Sequence, residues 1–201
     1  MLDTRIRAHI DPVLDLIGQS LAARGVTANA VSLAGFLIGV GAALVIVWHM
    51  YWLGLVLLLV SRICDGLDGA VARAGTKTDF GGFLDIVLDF AFYGLIPLAF
   101  IIANPESNFL AGSFLLLTFY VNGASFLTFA LMAEKRGLEE SERGSKSLLY
   151  TTGLAEATET IFVFVLFCLF PAYFAPIAYI FAAVCLYTAA VRVYQTRQML
   201  R

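Results

Sequence analysis

Six apolar stretches, each long enough to cross a bilayer, dominate this chain. They run over about 30–49, 51–73, 82–103, 109–133, 148–170 and 172–194. A transmembrane helix needs roughly 20 mostly apolar residues, and only helices or closed barrels satisfy every backbone polar group where there is no water. Turn signals separate the stretches: His49-Met50-Tyr51, Gly75-Thr76-Lys77, Asn104-Pro105-Glu106, the polar run 134–147, and Phe170-Pro171-Ala172. The expected fold is all-α, a polytopic membrane protein with six transmembrane helices. In 201 residues there is room for little else, so residues 1–201 are expected to form a single membrane domain with no separate soluble domain. Composition agrees: 60% of residues are hydrophobic and 14% charged, against about 45–50% and about 25% in soluble domains.

Residues 1–25 precede the first span. Leu2, Ile6, Ile10, Leu14, Ile17 and Leu21 recur at helical spacing among Asp3, Arg5, Arg7, Asp11 and Asp15. This pattern predicts an N-terminal amphipathic helix lying at the membrane interface, bent near Pro12. It has no apolar core long enough for a signal peptide. The three cysteines, Cys64, Cys168 and Cys185, match no zinc or disulfide spacing and read as packing residues.

The basic residues set the orientation. Arg5, Arg7 and Arg24 precede the first span, and Arg73 and Lys77 follow the second. Lys135, Arg136, Arg143 and Lys146 follow the fourth, and Arg192, Arg197 and Arg201 close the chain. The alternate loops near 50, 104–108 and 171 contain no Lys or Arg. The positive-inside rule then places both termini and the loops 74–81 and 134–147 in the cytoplasm, with the chain in the inner (cell) membrane. Arg62 is the basic residue inside a span, able to reach toward the polar region near the active face.

Four aspartates interrupt the second and third spans: Asp65, Asp68, Asp85 and Asp89. Intramembrane carboxylates are costly, and their default reading is functional. Spacings of three and four place each pair on one helical face. Counting outward from the short loop between these antiparallel helices sets Asp65 opposite Asp89 and Asp68 opposite Asp85. At ~1.5 Å per residue, Asp65 lies about 12 Å below the surface marked by Arg73. Four such carboxylates cannot all stay ionised without counter-charge. Two hard divalent cations, Mg²⁺ or Mn²⁺, would satisfy an all-oxygen ligand set and could clamp a diphosphate. Gly66, Gly69, Ala70, Ala72, Gly81 and Gly82 leave room for close helix approach and a ligand. Arg73 can offer its fork of donors to phosphate oxygens or act only as an orientation anchor.

The run Asp65-Gly-Leu-Asp68-Gly69-Ala-Val-Ala72-Arg73, followed by Gly81, Asp85 and Asp89, resembles the signature of the CDP-alcohol phosphatidyltransferases at eight fixed positions. The spacer 74–80 is one residue shorter than is usual in that family. Gly25-Val26-Thr27-Ala28-Asn29-Ala30-Val31-Ser32 resembles the family's entry to the first span, with Ala28 in place of a proline. The resemblance implies that Asp65, Asp68 and Asp85 are metal ligands and that Asp89 is both a ligand and the general base. It implies donor (CDP) contacts from Gly69, Arg73, Thr78 and Gly81, and from Asn29 and Ser32. It further implies a CDP-linked lipid or alcohol donor such as CDP-diacylglycerol, an alcohol acceptor, release of CMP, and a homodimer.

Glu156 and Glu159, in the fifth span, read either as an acceptor pocket for hydroxyl or amine groups or as hydrogen-bonding partners of Thr158, Thr160 or a neighbouring helix. Lys146 is either a contact to an anionic acceptor or a solvated loop charge. Thr78 and Asn29 can equally be a loop hydroxyl and a helix cap. Asn122 and Ser125 read as helix glue, and the aromatic residues at 162–181 as packing and lipid-facing belts. The stretch Phe129-Ala130-Leu131-Met132, where inositol-phosphate-using members tend to carry basic residues, weakens that acceptor class. The acidic pair leans toward a neutral or amino alcohol. The expected partners are membrane lipids and no nucleic acid. Three rival functions remain at this level: a divalent-cation or proton-coupled transporter, a different two-metal transferase acting on diphosphates, and an inactive relative. The nearly uncharged outer halves of the spans disfavour the first, the glycine–alanine–arginine spacing the second, and the complete set of aspartates the third.

Overall fold

A computed structural model describes residues 2–136 and 155–199, with side chains over 12–136 and 155–198. Among the described residues every regular element is helical. The order is α1 (Leu2–Ala23), α2 (Ala28–Val47), α3 (Tyr51–Ala74), α4 (Asp79–Ala103), α5 (Pro105–Lys135), α6 (Ala157–Leu169), a 3-10 turn (Pro171–Tyr173) and α7 (Phe174–Met199). Among the described residues, four helical segments are long and apolar enough to cross a membrane: Ala28–Val47, Asp79–Ala103, Pro105–Lys135 and Pro171–Gln198. α3 is 24 residues long, and Arg62, Asp65, Asp68 and Arg73 lower its hydropathy. The described part of the fifth apolar stretch is the 13-residue α6, and residues 148–154 of that stretch lie outside the described residues.

Local chemistry sets the helix ends. α1 stops in a Schellman turn: the Val26 amide donates to the Leu21 carbonyl at 3.1 Å, the Gly25 amide to the Ala22 carbonyl at 2.9 Å, and Gly25 has φ 80°. The same pair of bonds closes α2, from Met50 to Val45 at 2.9 Å and from His49 to Ile46 at 2.8 Å. There the left-handed position falls to His49 at φ 62°, with its Nδ1 2.8 Å from the Tyr51 hydroxyl. Thr27 caps α2 and Thr78 caps α4, each accepting from the amide three residues on. Two spans are longer than their apolar runs. α4 starts at Asp79 because Thr78 caps it, and α5 starts at Pro105 because a proline's missing N–H costs nothing in the first turn.

α2, α3 and α4 pack together, with α1 laid along α3 and α7 along α5. α2 and α3 approach closely at Gly35, where a Cβ would lie 2.8 Å from the Cys64 Cβ, and Ser61 Oγ donates to the Gly35 carbonyl at 2.8 Å. α1 meets α3 at Gly18, where a Cβ would fall 2.8 Å from the Ala70 carbonyl carbon. So α1 gives Leu14 and Gly18 to the protein and leaves Val13 and Leu16 exposed. The core is aromatic at the far end of α4: Phe100 stacks on Phe174 at 5.2 Å, and Phe167 meets Phe174 at 4.5 Å. Buried Asn108 ties α5 to this end by donating to the Phe100 carbonyl at 2.8 Å. Exposed Leu37, Leu44, Trp52, Leu110, Leu117 and Ile180 form the outer apolar surface expected against lipid chains.

Candidate active site

The aspartate site stands at the opposite end of α4 from the aromatic core. Phe100 is 11 residues beyond Asp89, about 16 Å along a helix. α3 presents Asp65 and Asp68, α4 presents Asp85 and Asp89, and α2 packs against both helices. One oxygen each from Asp65, Asp68 and Asp85 lies within 4.8 Å of the others. The Asp65 carboxyl interacts with those of Asp89 and Asp68, and the Asp68 carboxyl with those of Asp85 and Asp89. Asp68 is buried, and Ser32 Oγ donates to its Oδ2 at 2.5 Å. Asp89 Oδ1 accepts from Arg62 Nη1 at 2.7 Å, and the same nitrogen lies 3.3 Å from Asp65 Oδ1.

Two carboxylates 4.8 Å apart repel by about 3.5 kcal/mol at an effective dielectric of ~20. Arg62 pairs with Asp65 and Asp89, and the four carboxylates make an acidic, all-oxygen donor set. Such a donor set fits a hard divalent cation: carboxylate oxygens from two rigid helices, close enough to share one ion.

A cavity of about 550 Å³ opens beside Asp68 and Asp85. Its walls are the α1–α2 connection and start of α2, including Asn29 and Ser32, and the end of α3 with the α3–α4 loop, including Gly69, Lys77, Thr78 and Gly81. The volume lies in the range of small-ligand sites. Gly81 is held between two polar groups, since a Cβ there would lie 3.0 Å from Asn29 Oδ1 and 3.1 Å from Thr78 Oγ1. The Gly81 amide donates to Thr78 Oγ1 at 3.0 Å. Thr78 is thus a helix cap on the cavity wall, while Thr27, rather than Asn29, caps α2.

Arg73 is not among the described residues that line this cavity. Its Nη2 donates to Asp15 Oδ1 at 2.7 Å, and its Nη1 is 3.4 Å from where a Cβ on Gly69 would stand. Asp15 was not singled out in the sequence, because its partner is 58 residues away. Lys77, which the sequence offered only as an orientation signal, lines the cavity.

The acidic pair of the fifth stretch stands apart from this cluster. Glu156 is the N-cap of α6 rather than an interior helical residue, and it interacts electrostatically with Arg192. Glu159 has a buried Oε2 with no hydrogen-bond partner among the described residues. Arg192 Nη1 donates to Asn122 Oδ1 at 2.9 Å and to Ser125 Oγ at 2.7 Å. Asn122 and Ser125 therefore join α5 to α7 through a half-buried arginine, where the sequence suggested only a terminal charge. Their i, i+3 spacing in an apolar helix was the signal that a polar partner was needed. Lys146 lies outside the described residues.

Residues 25–194 match the family model "CDP-alcohol phosphatidyltransferase". Inner membrane protein YnjF of Escherichia coli K12 is 47% identical over 194 residues, covering 96% of this chain and 94% of that protein. Archaetidylinositol phosphate synthase of Pyrococcus horikoshii is 39% identical over 87 residues, 43% of this chain and 46% of that one. In fold the chain is similar to Mycobacterium tuberculosis phosphatidylinositol phosphate synthase (PgsA1), solved with CDP-DAG bound. The TM-score is 0.71 at 20% identity, covering 92% of this chain and 94% of the other. With a signature-bearing carboxylate cluster on apolar helices, a family match over most of its length and a near full-length relative, this chain belongs to the CDP-alcohol phosphatidyltransferase family and is an integral membrane enzyme of phospholipid synthesis.

Proposed function

We propose that this enzyme transfers a phosphatidyl or related phosphoalcohol group from a CDP-linked lipid donor, such as CDP-diacylglycerol, to an alcohol acceptor, releasing CMP. The observation that carries this reading is the convergence of the Asp65, Asp68 and Asp85 oxygens within 4.8 Å beside a cavity that Asp68 and Asp85 line. That the similar mycobacterial synthase was solved with CDP-DAG bound supports the choice of donor.

In this reading Asp65, Asp68, Asp85 and Asp89 hold two divalent cations, Mg²⁺ or Mn²⁺. When bound, these supply charge neutralisation along the donor diphosphate and stabilise the charge that develops in transfer. The chain's own groups do the rest. Ser32 fixes Asp68 in place. Gly69, with no side chain beneath Arg73, leaves room for the nucleotide, and Arg73 turns from Asp15 to its phosphate oxygens. Asn29, Thr78 and Gly81 form the wall against the cytidine part. Asp89 accepts the proton of the acceptor hydroxyl. The acceptor oxygen then bonds to the phosphorus that carries the lipid alcohol, and the bond from that phosphorus to the bridging oxygen breaks, so that oxygen leaves with CMP.

The remaining architecture belongs to the same proposal. Residues 1–201 form one membrane domain in which α2 to α7 make six spans and α1 lies at the interface. Both termini and the active site face the cytoplasm, as the basic residues require, and two copies associate. Glu156 and Glu159 belong to the acceptor side in this reading, where paired carboxylates favour a neutral or amino alcohol over a phosphorylated one. The test is direct. Purified enzyme is incubated with CDP-diacylglycerol, Mg²⁺ or Mn²⁺ and a panel of alcohols, and CMP and lipid product are measured. Acceptor-dependent CMP release is expected, and its absence with every alcohol would overturn the donor assignment.

A further inference from the structure

Tyr93 continues the polar stripe of α4 one turn beyond the aspartates. Asp85, Asp89 and Tyr93 are spaced four apart, so they share a helix face. A long helical side chain lies over the turn N-terminal to its own Cα, which tips Tyr93 back toward Asp89. Across the α3–α4 interface, the guanidinium carbon of Arg62 stands 3.7 Å from the centre of the neighbouring Phe92 ring. Tyr93 is therefore close enough to interact electrostatically with Asp89, Arg62, Asp65 and Asp85. Its ring centre is 6.1 Å from that of Phe92 and 6.4 Å from that of Phe164 on α6, both of them fully buried.

The ring is thus fixed between α4 and α6, while its hydroxyl makes no hydrogen bond among the described residues. Tyr hydroxyls set among apolar groups ordinarily find a partner, so this one has a donor to spare for a ligand. The other donors nearby are engaged: Arg62 with Asp65, Asp89 and Ser61, and Ser61 with the Gly35 carbonyl.

The direction of attack says which ligand belongs there. The cavity beside Asp68 and Asp85 adjoins the α3–α4 loop, and Asp89 and Tyr93 lie farther along α4. In an in-line transfer the attacking oxygen enters opposite the leaving one. With CMP leaving into that cavity, the acceptor oxygen arrives from the side of Asp89 and Tyr93. An alcohol oxygen carries one proton and two lone pairs. The proton goes to Asp89 and one lone pair forms the bond to phosphorus, which leaves the second lone pair for a hydrogen-bond donor.

We propose that the Tyr93 hydroxyl is that donor and holds the acceptor alcohol by its reacting oxygen. This rests on the reading of Asp89 as base and of CMP as leaving group. Tyr93 keeps its own proton throughout, and the contact is already made to the bound alcohol. It therefore supports acceptor binding more than the chemical step.

The test is steady-state CMP release by purified enzyme in detergent, with CDP-diacylglycerol and Mn²⁺. Glycerol, glycerol 3-phosphate, serine, ethanolamine and inositol are titrated in turn. Tyr93→Phe keeps the ring between Phe92 and Phe164 and loses only the hydroxyl. It should raise the KM for the alcohol by about 3- to 10-fold, as expected for one neutral hydrogen bond. The kcat, the KM for CDP-diacylglycerol and the half-saturating Mn²⁺ should each stay within about twofold of wild type. An unchanged alcohol KM would overturn the contact and leave the transfer reading standing. A parallel rise in donor KM and Mn²⁺ requirement would do the same, by showing a general disturbance of the site. So would a Tyr93→Phe protein that melts well below wild type, since the hydroxyl would then serve the fold. No CMP release by wild type with any of the alcohols would overturn the transfer reading and this inference with it.

Discussion

Replacing Ser32 by alanine removes the hydroxyl that donates to Asp68 Oδ2 at 2.5 Å. Asp68 is 6% exposed, but it and Ser32 both line the cavity, so water can replace only part of what the hydroxyl does. A hydrogen bond to a charged group contributes about 1.5–3 kcal/mol, and losing it from a ligand's supporting group loosens the ligand's orientation. At 1.4 kcal/mol per tenfold, the half-saturating Mn²⁺ concentration should rise by roughly 10- to 100-fold. Catalysis at saturating Mn²⁺ should stay near that of wild type, because Asp68 itself is retained. The assay is CMP release from CDP-diacylglycerol at fixed acceptor across a Mn²⁺ titration. An unchanged half-saturation point would refute the idea that Ser32 orients a metal ligand. A rise confined to the donor KM would instead assign Ser32 to the nucleotide.

Asp89→Asn should abolish turnover while leaving CDP-diacylglycerol binding within about threefold, measured by CMP release and by equilibrium binding; wild-type turnover would remove its role as base. Asp15→Ala should cost less than about 1 kcal/mol of stability, because both partners of its ion pair with Arg73 are 43% exposed. The same variant should lower the donor KM, since Arg73 no longer has to leave a carboxylate to meet phosphate; thermal melts and steady-state kinetics check the two halves. Gly35→Ala would put a Cβ 2.8 Å from the Cys64 Cβ, an overpacking worth about 1–3 kcal/mol. By parting α2 from α3 it should separate Ser32 from Asp68 and raise the metal requirement as Ser32→Ala does.

The aspartate site was legible because its chemistry conflicts with its surroundings. Carboxylates in apolar runs are conspicuous, and spacings of three and four dictate a shared face, so the convergence of Asp65 and Asp68 on α3 with Asp85 on α4 followed from counting alone. Less legible were contacts that depend on where a long side chain turns. Arg62 could be placed at a depth but not on Asp89, 27 residues away. Arg73 offered a donor fork without indicating that Asp15 would occupy it. Arg192 looked like a terminal charge because only the packing of α7 on α5 shows that it reaches Asn122. Helix ends were blurred where capping chemistry outweighs hydropathy: polar Thr78 and Pro105 extend helices beyond the apolar residues that announce them. His49 occupies a backbone position for which glycine is the ordinary signal.

The caps on α2 and α4 carry a consequence for electrostatics. Thr27 and Thr78 begin their helices on the walls of the same cavity, so both helices turn their N-terminal ends toward it. Each such end is equivalent to about half a positive charge, made of peptide dipoles rather than side chains. An approaching diphosphate therefore meets roughly one unit of positive charge that mutation of Arg73 or Lys77 does not erase. Attraction for the anionic portion of a nucleotide is written into the main chain, and side-chain changes around the mouth can retune selectivity while this background pull persists.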